Sequence, residues 1–200
     1  MRPLVFTSLS PHGSKQRGFS LIELLLVLGV LAILLVAAFV VYPQVSHANR
    51  VNQELSNLSN IQANMRNMFA SVGTAYSKIP SATATATLNS ARIFPAGMNG
   101  GVYTGSEIKH AWGGNVTLNA TTANHLGLPA GRAFTVNYMS VPSKACIDLV
   151  TGAMSTYKII HIYANDSSSV TRVYPGTTGI PTITEACTQV DQVRLQFLSD

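Results

Sequence analysis

From Phe19 to Val41 the chain is almost wholly apolar, with a single carboxylate, Glu23, near its start. The eighteen uncharged residues Leu24 to Val41 would make roughly 27 Å of helix, about the thickness of a bilayer's hydrocarbon core. After Tyr42 and Pro43 the pattern changes period without stopping. Apolar side chains recur three or four apart at Val45, Ala48, Val51, Leu55, Leu58, Ile61, Met65, Met68 and Val72, and Asn and Gln occupy much of the remainder. The expected element is one helix with a spanning half and an amphipathic half. Pro43 should bend it, since proline removes a rung of the hydrogen-bond ladder, and Gly73 should stop it. From Phe19 to Val72 such a helix would be roughly 80 Å long. Met65 and Met68 read as core packing.

The rest of the chain changes to short alternating runs. Residues 74–113 are a Ser-, Thr- and Ala-rich connection with a short helix expected at Ala84 to Ile93, followed by turns at Pro95, Gly97, Gly100 and Gly101. Strands are expected at Asn115 to Asn119, Arg132 to Val141, Tyr157 to Ala164, Ser169 to Tyr174 and Val193 to Leu198, all rich in β-branched or aromatic residues. Short helices interrupt them at Pro142 to Val150, ended by Gly152, and at Thr182 to Gln189, where Thr182 and Glu185 have capping-box spacing. The fold class is therefore α+β, a long N-terminal helix laid against an antiparallel sheet. Trp112 reads as a core anchor at the sheet edge.

Charge fixes an orientation for this pattern. The leader MRPLVFTSLSPHGSKQRG is basic, and the next Lys or Arg after the apolar run is Arg50, which puts the N-terminus in the cytoplasm and the C-terminus outside. Charged residues are only 10% of the chain, against a usual ~25%, an extracellular composition. Removing Arg2, Lys15 and Arg17 with the leader from the thirteen Lys and Arg leaves ten against eight Asp and Glu, a balance of +2. No nucleic-acid partner follows from so small an excess. Ser46-His47-Ala48 loosely fits a signal-peptidase site, but the apolar run exceeds the usual ~7–15 residues of a signal core and contains a glutamate.

Glu23 has two readings. Ser20 and Glu23 fit a capping box at a helix start. Alternatively, the carboxylate awaits a cation, since an ionisable group in a spanning segment costs ~2.5–3.5 kcal/mol at the bilayer centre. The string Gly18-Phe19-Ser20-Leu21-Ile22-Glu23-Leu24 followed by an apolar helix resembles the class III signal of type IV prepilins. Ala111-Trp112-Gly113-Gly114 before Asn115 to Leu118, with the segments around the cysteines, resembles the PilS-type branch of type IVb pilins. The resemblance implies cleavage after Gly18 by a prepilin peptidase, methylation of Phe19 by the same enzyme, and a role for Glu23 in recruiting subunits to a filament. It divides the chain into a leader (1–18), a transmembrane or filament-core helix (19–42), an amphipathic half (43–73) and a globular head (74–200). It further implies the type IV pilin fold with a disulfide-bounded C-terminal region.

Two cysteines, Cys146 and Cys187, lie in the part placed outside the inner membrane, where thiols should pair. They match the disulfide of the pilins, and closing that loop is worth about 4 kcal/mol in the chain-entropy picture. Zinc binding is the weaker alternative, because there is no C-x-x-C and His12, His47, His110, His125 and His161 are scattered. Each His reads as a solvated or hydrogen-bonded surface residue. No G-x-S-x-G, P-loop or H-E-x-x-H is present, and the carboxylates do not pair on one face. The expectation is a structural subunit, not an enzyme, without cofactor or metal. It would be the major pilin of a thin pilus used in conjugation or adhesion, a helical homo-oligomer raised by an inner-membrane platform and an ATPase. The alternatives are a type II secretion pseudopilin, a minor pilin, or a single-pass protein with a binding ectodomain.

Overall fold

The computed structural model describes residues 20–70, 76–79, 84–121, 130–164 and 170–200. Gly18, Phe19, Gly73, His12 and His125 lie outside them. Two compact units divide at residues 44 and 45, and helix α1 (Leu21–Phe69) contributes to both. In the first unit the helix is exposed along its described length, and an 18-residue window reaches a mean hydropathy of 3.3, long and apolar enough to cross a membrane. The Ser20 carbonyl accepts from the Leu24 N–H at 3.1 Å, so the helix is under way by Ser20. Pro43 is held inside it.

In the second unit α1 becomes amphipathic. Val51, Leu58, Ile61, Met65 and Phe69 are buried, whereas Val45 and Met68 are exposed. Met68 therefore does not fill the core as expected. The helix is described to Phe69, whose ring turns onto Tyr76 with centroids 5.1 Å apart, and Val72, its expected end, lies outside the described residues. A 3-10 turn (Tyr76–Lys78) and two short helices, α2 (Ala84–Ser90) and α3 (Ala96–Asn99), follow. A buried amide network ties the two helices to each other and to the loop after α3. Asn89 Nδ2 donates to the carbonyls of Val102 and Gly105, and Asn99 Nδ2 donates to Asn89 Oδ1.

Five strands, β1 (Val116–Ala120), β2 (Phe134–Pro142), β3 (Ile159–Ala164), β4 (Val170–Val173) and β5 (Gln192–Ser199), form an antiparallel sheet in the order β1-β2-β5-β3-β4. All five expected strands are present, with ends shifted by a few residues. Register places Leu118, Val136, Phe197, Ile160 and Val173 in one row across every strand, all buried in the same core as Leu58, Ile61 and Met65. The opposite face carries the row Thr117, Asn137, Gln196, His161 and Arg172. This alternation is what a sheet with one face on a core requires.

Helices α4 (Ser143–Ala153) and α5 (Ile180–Thr188) differ in detail from expectation. Gly152 lies within α4 and does not stop it. A Cβ there would come 2.5 Å from Leu55 Cδ1, so the glycine lets α4 close on α1. Helix α5 starts two residues early with Pro181 in its first turn, a favoured proline position, so Thr182 is already helical and no side chain caps the helix. The Cys146–Cys187 disulfide joins α4 to α5 with a Cα separation of 5.8 Å, both residues fully buried. Replacing both cysteines by serine should cost the head roughly 4 kcal/mol, read as a lowered denaturation midpoint of the full chain in detergent under oxidising conditions; an unchanged midpoint would refute it.

Candidate assembly helix and its head junction

Glu23 sits in the first turn of α1 and is exposed, as are Leu21, Ile22, Leu24 and Leu25 around it. Large apolar side chains remain uncovered along the run, Phe39 at 77% and Ile33 at 72%. This surface is apolar on every side, with one carboxylate in its first turn. A helix hydrophobic all round belongs in lipid or among other helices. Gly18 and Phe19, the expected processing residues, are outside the described part, so the structure brings no geometry to them.

The head's polar centre lies elsewhere and was not foreseen. Glu54 is 1% exposed, on the apolar face of α1 between Val51 and Leu58. Its Oε1 accepts from the Ala111 N–H at 2.8 Å and its Oε2 from the Tyr138 hydroxyl at 3.0 Å. Burial, and after it the adjacent Glu54 carboxylate, push the Tyr138 hydroxyl well above the ordinary tyrosine range, so it stays a donor. His110 is also buried, against expectation, with its ring stacked on Tyr138 at 5.3 Å and 2°. Its surroundings are polar backbone: Nε2 lies 2.7 Å from the Met139 carbonyl, and the Trp112 N–H donates to Nδ1 at 3.2 Å. Met139 is offered by a register shift in β2 between Tyr138 and Val141, where Ser140 takes a positive φ of 56°. Gly114 permits the approach, because a Cβ there would lie 2.0 Å from the Met139 oxygen. Trp112 is only partly buried, its ring 5.6 Å from His110.

His161 is likewise buried, its Nδ1 3.1 Å from Gln196 Oε1. His47 is partly exposed, its Nδ1 3.8 Å from Asp148 Oδ2. Among the described residues no cluster of three or more His, Cys, Asp or Glu could hold a metal ion. The groups at the head junction are bound to one another in a way that holds α1, the Ala111 turn and β2 together.

Comparison with known proteins places this architecture. The family described as PilS N terminal matches residues 48–200, and the prokaryotic N-terminal methylation motif matches residues 13–39. The chain belongs to the PilS family. It is a type IV pilin of the IVb kind, a structural subunit and not an enzyme. Among solved structures, the crystal structure of a type IVb pilin from Salmonella typhi is 23% identical over 73% of this chain and 97% of that one, with a TM-score of 0.52. That of TcpA, a type IV pilin from the Vibrio cholerae El Tor biotype, is 18% identical over 76% and 99%, with a TM-score of 0.51. At these identities the likeness is one of fold: the long N-terminal helix and antiparallel sheet expected of a type IV pilin. A comparison with curated proteins found no match. The methylation motif, which spans Gly18, Phe19 and Glu23, implies a precursor processed by a peptidase and assembled into a filament.

In this pilin a hydrogen bond from a neutral donor to a buried carboxylate should be worth ~1.5–3 kcal/mol. Tyr138→Phe should therefore destabilise the head by about that amount, while in a Glu54→Leu background the same change should cost under roughly 0.5 kcal/mol. Denaturant titration of the four proteins closes the cycle; equal costs in both backgrounds would mean the contact contributes nothing.

Proposed function

We propose that this chain is the major subunit of a type IVb pilus that serves conjugation or adhesion. The precursor sits in the bacterial inner membrane with its N-terminus in the cytoplasm; a prepilin peptidase cuts after Gly18 and methylates Phe19. An inner-membrane platform driven by an ATPase then raises the mature chain (residues 19–42 the filament core, 43–73 the amphipathic half, 74–200 the head) into a helical filament at the cell surface. The observation that carries this reading is the uncovered apolar surface of α1 with the single carboxylate Glu23 in its first turn. Identical subunits meeting through such a surface make a heterologous contact that does not close, hence a fibre.

The cut follows from the leader's chemistry. Gly18→Arg should block it, since a long cationic side chain would occupy the place where the peptidase needs close backbone approach. Precursor should then accumulate in the membrane, and mass spectrometry of wild-type filaments should find subunits beginning at Phe19; another N-terminus would overturn the assignment.

Glu23 would pair with the α-amino group of a neighbouring copy. A buried charge left without its partner costs about 3–5 kcal/mol, so Glu23→Gln should be cut normally yet yield few filaments. If Glu23 were only a helix cap, glutamine would hold the same hydrogen bond and filament yield would stay normal. The ratio of processed pilin in membranes to pilin in sheared filaments distinguishes the two. Mating frequency and surface adhesion, measured side by side in the Glu23→Gln strain, separate the two uses.

A further inference from the structure

We propose that His110 is an acid-released fastener for the Ile108 to Gly114 turn, so that protonating its ring frees the wall this turn gives to the neighbouring cavity. The inference rests on the head's geometry alone and not on the filament reading.

The two ring nitrogens have opposite and fixed tasks. A carbonyl only accepts, so Nε2 must carry the proton that reaches Met139; a backbone N–H only donates, so Nδ1 must be bare towards Trp112. Only the neutral tautomer does both. A second proton would fall on Nδ1 and set one N–H against another, costing the Trp112 amide its acceptor. Rotation offers no escape, because the ring lies flat on Tyr138 and a Cβ at Gly114 would already be 2.4 Å from Nε2. Charging the ring therefore has to move the turn.

Facing groups come from three directions. Helix α1 contributes Glu54 and Arg50, strand β2 contributes Tyr138 and the Met139 carbonyl, and the turn contributes Lys109, with Glu107 just before it. Glu54 favours the imidazolium, but its oxygens are already taken by Ala111 and Tyr138. Burial prevails over both the Met139 hydrogen bond and Glu54, and holds His110 below the usual imidazole range. With the folded value depressed, the fastened turn is fully stable above the unfolded value of ~6.5 and loses stability as pH falls through the folded value.

What the turn holds is one side of a cavity of about 490 Å³, lined also by Arg50, Gln53 and Glu54 of α1 and by residues 97–100. Towards the cavity it is also tied by the Lys109 N–H to the Met98 carbonyl at 2.8 Å and by the Ala111 N–H to Glu54, while the Val116 N–H, donating to the Ile108 carbonyl at 2.7 Å, anchors its start to β1. The two cavity-side ties join residues that line the cavity, so loosening His110 loosens that wall.

Trp112 is the only tryptophan in the chain and lies beside His110, which makes its fluorescence a local reporter. In the full chain in detergent, titration from about pH 7.5 to about pH 4.5 should give a reversible transition with its midpoint below ~6.5. The transition should vanish in His110→Gln and persist in His47→Gln and His125→Gln. Hydrogen exchange on the unaltered chain, corrected for intrinsic rate, should show residues 107–114 losing roughly tenfold more protection than β2 and β5 on acidification. A flat wild-type titration, a transition unchanged in His110→Gln, or protection lost evenly across the head would overturn the proposal. Where His110→Gln does not fold, the exchange comparison decides alone.

Discussion

The head depends on one seam of α1 being covered. Val51, Leu58, Ile61 and Met65 follow one another at steps of seven, three and four residues, all on one helix face, and must leave water together. The sheet answers with whole rows. Leu118, Val136, Phe197, Ile160 and Val173 stand in register across five strands, so one apolar band meets one apolar stripe. A slip of one residue in any strand would turn its member of the row to the opposite face. Register across the sheet and burial of α1 are thus one constraint.

Glu54 sits inside that seam, and its presence explains much of the polar architecture. A carboxylate in a core is tolerable only when its oxygens are hydrogen-bonded, and the two donors come from parts of the chain 57 and 84 residues away. The Tyr138 side chain and the Ala111 turn are therefore fixed relative to α1 by direction as well as by burial, which apolar packing alone does not supply. Tyr157 adds a second such tie, its hydroxyl donating to the Leu58 carbonyl at 2.9 Å. Gln62 adds a third, donating to the Thr156 carbonyl and to Ser199 Oγ, both at 2.7 Å. The disulfide acts on a different part, tying α4 to α5, where the two helices are each only three turns or fewer.

Periodicity made the long helix, the five strands and α4 and α5 legible, because each has a run of apolar residues at its own period. It misplaced the stripe on α1. The apolar recurrence puts Leu55 on the face and leaves Glu54 off it, yet 51, 54, 58, 61 and 65 is the spacing that is buried, while Leu55 is half-buried towards Gly152. An acid at that spacing was the available signal. An acid on a helix is ordinarily solvated, however, and only donors distant in sequence reveal that this one is not. His110 was unreadable for the same reason, since one of its partners is a carbonyl displaced by a bulge. The Thr182 and Glu185 cap failed because Pro181 starts the helix earlier. Gly18 and Phe19 were legible only as a string of residues, and no periodicity bears on them.

The two halves of α1 are held by forces of different kinds. In the head, apolar burial is gained on folding from water. In a membrane the first half gains little by meeting another helix, because lipid tails are as apolar as leucine. Under the proposed assembly, the drive for these helices to bundle appears only as they leave lipid for a filament surrounded by water, which is why lifting them requires an external motor. Apolar contact is also non-directional and would accept many offsets between neighbouring helices. In the proposed assembly a single carboxylate would remove that freedom, since any offset that left Glu23 without a cation would leave a charge among leucines. In the proposed filament the apolar run would supply cohesion, and Glu23, the one residue that breaks it, would supply the register.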